Sequence, residues 1–293
     1  MSTRTLTFLL TLTLSLLATG AHAQDPADLP PATAGATALR AGIGQDKPYW
    51  RGSGRYRNFL ASTFELGVIN LRPTLAIGYG KPHYRWFGLE AQSAISRRGG
   101  AEYFGLRGKL SGFDARLGLR YVFAADQRFL GPKETYVRED LETERGSMSR
   151  YLTTEAEVSA AFPAPGGNIF AVASGYALFS VPADTFVFEE SLRIVVDPPF
   201  VWRARLGYLF HIGWKGSMRL GAAAEVIGIP AREALVVRAG PALTVSLTHH
   251  LDAIGAFMIV AKSPDTLGLQ GADLGQIGLR YRWATGDLWA DVP

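Results

Sequence analysis

The segment Phe113-Asp114-Ala115-Arg116-Leu117-Gly118-Leu119-Arg120-Tyr121-Val122-Phe123 decides how this sequence is read. Phe113, Ala115, Leu117, Leu119, Tyr121 and Phe123 share one face of an extended chain, opposite Asp114, Arg116, Gly118 and Arg120. Successive side chains of a strand point to opposite sides, so this is a strand with two chemically different faces. The pattern returns further along. Trp202, Ala204, Leu206, Tyr208, Phe210 and Ile212 oppose Arg203, Arg205, Gly207 and His211. Leu235, Val237, Leu243, Val245 and Leu247 oppose Arg238, Gly240, Thr244 and Ser246. Ile277, Leu279, Tyr281 and Trp283 oppose Gln276, Gly278, Arg280 and Arg282.

Alternation alone does not say which face is inside. In a soluble sandwich the apolar face is the core, whereas in a membrane barrel it meets lipid. Three features favour the barrel. The segments run about 10–12 residues, the length of a tilted span of the hydrocarbon layer, where soluble strands average nearer 5–6. Aromatic residues fall towards segment ends (Phe59, Tyr79, Trp86, Phe87, Tyr121, Phe123, Trp202, Tyr281, Trp283), as in interfacial girdles. The opposite face mixes Arg and Glu with Gly and Ala, which suits a crowded polar interior. A strand in lipid finds no water for its N–H and C=O groups, so the sheet must close. The expectation is an all-β, transmembrane, antiparallel up-and-down β-barrel.

Composition narrows the rest. The 293 residues include 33 Gly and no Cys, with 47% hydrophobic and 19% charged. Without Cys there is no disulfide framework, thiolate metal site or Cys nucleophile. Lys and Arg number 30 against 26 Asp and Glu, with Arg4 in the leader, an excess too small and too dispersed for nucleic-acid binding. Residues 1–23 read as a cleaved signal peptide, with Arg4 before an apolar run from Leu6 to Leu17 and with Ala21 and Ala23 as the small cleavage positions. That run is shorter than the roughly 20 residues a membrane helix needs. Residues 24–54, with Pro26, Pro30, Pro31 and Pro48, read as a flexible segment, 55–283 as the barrel and 284–293 as a tail.

Turn signals divide the barrel into segments 59–69, 71–80, 84–95, 102–110, 113–124, 150–162, 168–181, 185–196, 200–212, 217–228, 234–247, 251–262 and 272–283. That is thirteen, and bacterial single-chain barrels are usually even, so one is miscast. The doubtful places are the near-continuous 59–80, the segment 234–247 with Pro241 inside it, and an extra strand at 36–44 or near 135–140. About 22 residues per strand and turn predicts 12 strands, with 14 as the alternative.

The last segment resembles the assembly signal of Gram-negative outer-membrane β-barrel proteins, polar–x–Gly–x–x–aromatic–x–aromatic. Gln276, Gly278, Tyr281 and Trp283 occupy its positions. The resemblance implies an outer-membrane location in contact with lipid and recognition by the barrel-assembly machinery. It departs from the common pattern because ten residues follow Trp283. With Trp283 at the periplasmic end, the long connection 124–149 is extracellular, once the strand parity is corrected by one. Its charged residues, Asp126 to Arg145, read as a solvated loop.

Little in the sequence points to chemistry. Barrel hydrolases set a Ser nucleophile beside a His base. Of His83, His211, His249 and His250, only the last two stand near a serine, Ser246, and positions three apart on a strand face opposite ways. His249-His250 reads as a polar turn, and no Gly-rich loop leads into a helix, so no enzyme activity, metal or cofactor is expected. What remains is the face inferred to line the lumen. Its bases are Arg72, Arg107, Lys109, Arg116, Arg120, Arg193, Arg203, Arg205, Arg219, Arg238, Arg280 and Arg282, and its acids Glu65, Glu90, Asp114, Glu155, Glu157, Glu189 and Glu225. Buried charges need partners, so Arg–carboxylate ladders should cross neighbouring strands. The expected role is structural, anchoring envelope proteins. The alternative is a passive channel for small anionic solutes, because rings of Arg favour anions. An outer-membrane lipid hydrolase is a distant third.

Overall fold

The computed structural model describes residues 55–67, 70–143, 146–212, 218–273 and 277–285. The expected signal peptide with Ala21 and Ala23, the segment 24–54 and its candidate strand, most of the expected tail, and Gln276 lie outside the described residues.

Strands β1 (Arg57–Gly67), β2 (Asn70–Lys81), β3 (Arg85–Ser96), β4 (Gly99–Leu110), β5 (Phe113–Arg128), β6 (Met148–Ala164) and β7 (Gly167–Phe179) pair in chain order. Next come two short strands, β8 (Val187–Glu189) and β9 (Ile194–Val196), which pair only with each other. The wall resumes with β10 (Phe200–Ile212), β11 (Met218–Ile229) and β12 (Ala234–Ser246). β10 pairs directly with β7. β13 (Leu251–Ala256) and β14 (Ile259–Lys262) are two halves of one interrupted strand on β12. β15 (Gly278–Ala284) pairs with β13 and β1, and the sheet closes. Every neighbour in the wall is antiparallel, and there are twelve strand positions.

The thirteenth predicted strand, 185–196, is therefore not in the wall. It forms the β8–β9 hairpin, and β7 pairs past it with β10. The doubtful places in the sequence resolve differently. β1 and β2 are distinct strands, 135–140 leads into a 3-10 turn at Arg138–Glu142, and the last strand begins at Gly278 rather than 272. Pro241 stays in β12 because the neighbouring strand breaks there. Phe257 N–H donates to the Pro241 carbonyl at 3.1 Å, and a side chain on Gly240 would collide with the Phe257 carbonyl. The missing proline N–H thus faces an interruption that needs no donor.

Leu117, Leu119 and Tyr121 are about half exposed while Arg116 and Arg120 between them are buried. Across the wall the exposed large side chains are apolar and the buried charges are enclosed, although the inward face of β7 is itself mostly apolar (Phe170, Val172, Tyr176, Leu178). This is the solvent inversion of a membrane barrel. Two aromatics expected in the outer girdles break the rule. Phe59 and Trp86 are buried inside, with ring centroids 5.6 Å apart in an edge-to-face contact. They pack with Ala61, Ala76, Tyr84 and Ala284.

One end of the barrel carries the start of β1, the end of β15 and short turns such as 82–84, 111–112 and 165–166. The other carries connections 129–147, 180–199 and 263–277 and is the extracellular end, since long loops lie outside. The first of these is not the plain solvated loop that its charges suggested. Leu130, Tyr136 and Leu141 are buried against Phe188, Val195 and Leu267. Asp265 accepts two N–H groups from Arg232, both at 2.8 Å, and the backbone N–H of Tyr136 at 3.0 Å. The Arg232 guanidinium lies 5.3 Å from the Tyr136 ring and 5.8 Å from that of Phe186. Four connections are thus tied into one cap.

Leu117→Arg, at mid-strand on the outer face, is expected to destabilise the barrel by about 2–4 kcal/mol, read as a drop in urea midpoint in lipid vesicles. An unchanged midpoint would place Leu117 away from lipid.

Candidate functional site

The β8–β9 hairpin sits inside the extracellular half of the barrel. Val187, Phe188, Glu189, Val195 and Val196 are at most 1% exposed. Val187, Leu192, Ile194 and Val196 pack against inward residues of the wall, among them Tyr151, Tyr176, Leu178, Val201, Ile227, Ile229 and Val236. Here the barrel interior is apolar, because the hairpin brings its own core. The Phe188 carbonyl accepts the Gln127 side-chain N–H at 2.5 Å.

A series of ion pairs fastens this hairpin. Glu189 lies 3.3 Å from Arg120 and accepts the Tyr151 hydroxyl at 2.6 Å. Arg120 approaches Glu155 at 3.4 Å, and Glu155 also binds Arg116. Arg116 is 3.4 Å from Glu157, which accepts N–H from Arg203 at 2.6 Å. Arg203 stands 3.8 Å from Glu225. Glu225 accepts from Arg205 at 2.9 and 2.5 Å and from Arg238 at 3.2 Å. Arg238 then donates to the carbonyls of Leu192 at 2.7 Å and Arg193 at 2.9 Å. The series starts on the hairpin, crosses β5, β6, β10, β11 and β12, and ends on the same hairpin. Sheet register makes it possible: Arg116 stands opposite Glu157, Arg205 opposite Glu225, and Glu225 opposite Arg238. Arg205 also donates to Asp273 at 2.7 Å, which ties in the last loop.

Three smaller groups fill the rest of the lumen. Arg107 donates twice to Asp114, at 3.0 and 2.7 Å, and also binds Glu90. Glu65 holds Arg280 at 2.7 Å and Arg72 at 3.3 Å. Asp252 holds Arg282 and accepts the Ser246 hydroxyl at 3.1 Å. Lys109 and Arg219 are buried as well, Lys109 opposite Asp114 and Arg219 opposite His211 and Thr244. Of the nineteen residues expected to line the lumen, eighteen are buried within the wall, and Arg193 alone is only partly so. In the assembly-signal strand, Tyr281 is half exposed on the outer face and Gly278 stands opposite Gly67.

The charge balance differs from the sequence reading. Among the described residues eleven Arg or Lys and ten Asp or Glu are buried, not twelve against seven. Arg193 is only partly buried at the hairpin turn, and Asp252, Asp265 and Asp273 join the acids. Asp252 escaped notice because Ile254 and Ala256 share its inward face, so its strand shows no polar side. Asp265 and Asp273 lie in a loop where alternation says nothing.

Ser246 forms no pair with His249 or His250. The Ser246 hydroxyl turns to Asp252, and the His250 ring meets the Arg282 carbonyl at 2.8 Å. His83, in the turn after β2, is held well below the usual 6.5, at about 3, by burial and then by the charge of Arg282. Its ring is therefore neutral at pH 7, and Nε2 lies 3.0 Å from the Trp283 carbonyl. Among the described residues no His, Asp and Glu cluster could hold a metal ion.

Two lumenal cavities lie apart from each other. One, of about 30 Å³, lies by the short turns and is lined by His83, Trp86, Glu90, Arg107, Lys109 and Arg282. The other, of about 100 Å³, lies between the hairpin turn and the inner face of β2 to β7. They share no lining residue.

No family model and no curated protein matches this chain. It is similar to solved outer-membrane structures. For a porin refined at 1.8 Å, identity is 13% over 72% of this chain and 62% of that one, with a TM-score of 0.33. For the NanC porin, identity is 9% over 78% and 98%, with a TM-score of 0.35. For the β domain of the Bordetella autotransporter BrkA, identity is 16% over 79% and 98%, with a TM-score of 0.30. Closure, antiparallel pairing, an even number of strand positions and an apolar exterior make this a transmembrane β-barrel of the outer-membrane type.

Glu225→Gln removes the shared partner of Arg203, Arg205 and Arg238. It is expected to cost about 3–5 kcal/mol, because the arginines stay buried and lose their counter-charge. Arg138→Ala breaks only an exposed pair with Glu142 and should shift stability by less than about 1 kcal/mol. Urea unfolding of both variants measures the contrast.

Proposed function

We propose that this is a sealed outer-membrane barrel with a structural, partner-anchoring role in the envelope, and that it is not an enzyme. The observation that carries this reading is the ion-pair series that begins and ends on the β8–β9 hairpin. Withdrawing the hairpin would strip Glu189 from Arg120 and the Leu192 and Arg193 carbonyls from Arg238, leaving charges short of partners in a low-dielectric lumen. It would also uncover the apolar seat of Val187, Leu192, Ile194 and Val196. The hairpin therefore acts as a fixed plug. Outside it, the loops tied together at Asp265 form a prearranged surface, and a partner that binds a preordered surface avoids much of the entropy cost of ordering loops.

A passive channel is the second reading, favoured by the cavity beside the hairpin. In that case displacement of the hairpin is the gate. A preference for anions gains no support from the near balance of buried charge.

Planar-bilayer recordings of the refolded mature chain discriminate the two. The sealed reading expects no steady current from the wild type, and current from a variant in which 186–197 is replaced by a short Gly–Ser linker. Steady conductance from the wild type would overturn it in favour of the channel. A silent deletion variant would remove the hairpin as the plug.

A further inference from the structure

The larger cavity has a chemistry that neither role uses. Its lining includes Tyr103, Arg120, Tyr176 and Arg193, and each contributes a buried polar atom without a hydrogen-bond partner. These are the two tyrosine hydroxyls, Nη2 of Arg120 and Nε of Arg193. Arg120 is 7% exposed, Tyr103 4% and Tyr176 1%, so bulk solvent does not readily serve them. Tyr103 stands directly opposite Arg120 in the β4–β5 ladder, and the Arg120 guanidinium lies 5.6 Å from the Tyr176 ring. The groups are therefore neighbours on one wall, facing the hairpin turn that carries Arg193.

The acids lining the same space are already engaged. Glu155 is held by Arg116 and Arg120, and Glu189 by Arg120 and Tyr151. Glu190 accepts the Ser96 hydroxyl at 3.1 Å, and Asp273 binds Arg205. The buried polar atoms of the lining that make no hydrogen bond are Nε of Arg116, Arg120 and Arg193, Nη2 of Arg120 and the hydroxyls of Tyr103, Tyr176 and Ser191. Nε of Arg116 and of Arg120 already faces a carboxylate at 3.4 Å. Guanidinium N–H groups can only donate, and the hydroxyls can donate. Leaving a buried donor unpaired costs about 1–3 kcal/mol, and several in one cavity call for an acceptor. A small group that only accepts, and is negatively charged, matches donors of this kind.

We infer that this cavity is a binding site for a small solute bearing an oxyanion, held by Tyr103, Arg120, Tyr176 and Arg193. The solute enters from outside the cell. The cavity reaches Asn70, Ser96 and Gly100, where β2 begins, β3 ends and β4 begins at the extracellular rim. The connections there are also short, with β4 starting three residues after β3 ends. The site goes beyond the sealed-barrel reading and is independent of it, because a ligand reaching the cavity from the rim need not cross the barrel.

Calorimetric titration of the full mature chain, folded in an uncharged detergent at fixed ionic strength, tests the inference with inorganic phosphate and acetate as separate probes. Saturable, one-site binding of phosphate is expected. Uptake of acetate as well assigns the site to oxyanions generally, and phosphate alone assigns it to tetrahedral ones. The double variant Tyr103→Phe, Tyr176→Phe should bind about tenfold more weakly or worse. Its urea midpoint should be unchanged or raised, since neither hydroxyl has a partner within the protein. Arg193→Gln should weaken binding without unfolding the barrel. No saturable binding of either probe, or equal affinity in the double variant, overturns the site. A lowered urea midpoint in the double variant also overturns it, by assigning those hydroxyls to the fold.

Discussion

A guanidinium group enclosed by protein and lipid cannot shed its proton and cannot remain without acceptors. That constraint organises this molecule. Once the apolar faces of twelve strand positions turn outward, eleven basic side chains are carried inside among the described residues, and each needs counter-charge within reach. The wall supplies part of it through register. The remainder comes from segments that leave the wall and come back into the lumen: Glu189 and two backbone carbonyls from the β8–β9 hairpin, and Asp273 from the last loop. The charge requirement of the strands and the inward path of the loop are one arrangement. Buried ion pairs of this kind add little net stability. Their effect is to make one position of the hairpin far better than any other.

The barrel was legible in the sequence because lipid imposes a rule with period two. Phe113 to Phe123 shows it at a glance, and the inward side of Trp202 to Ile212 gives Arg203 and Arg205 without further information. Register could also be foreseen in outline, since an Arg ladder and a Glu ladder facing the same lumen must interlock. The assembly-type ending at Gly278, Tyr281 and Trp283 pointed to the same fold from a different direction.

The hairpin was not legible as a hairpin. Residues 185–196 are extended and β-branched, as in a wall strand, and the sequence does not say that both faces meet protein. Only parity betrayed it, and parity named no culprit. The inward tyrosines were hidden for a related reason: Tyr103, Tyr151 and Tyr176 occupy the polar face of their strands, where an aromatic reads as an exception to the pattern. Phe59 and Trp86 misled in the opposite sense, since an aromatic near a strand end suggests the membrane interface even when it faces inward. Asp265 and Asp273 lie outside any period, so their partnership with Arg232 and Arg205 emerges only in three dimensions.

Amide hydrogen exchange of the lipid-reconstituted protein probes the captive hairpin most directly. If the ion-pair ring holds β8 and β9 inside the lumen, the amides of 187–189 and 194–196 exchange as slowly as those of β10 and β11, and far more slowly than those of the exposed turn residues Arg138 and Glu139. Exchange of the hairpin at the rate of that turn would contradict the account.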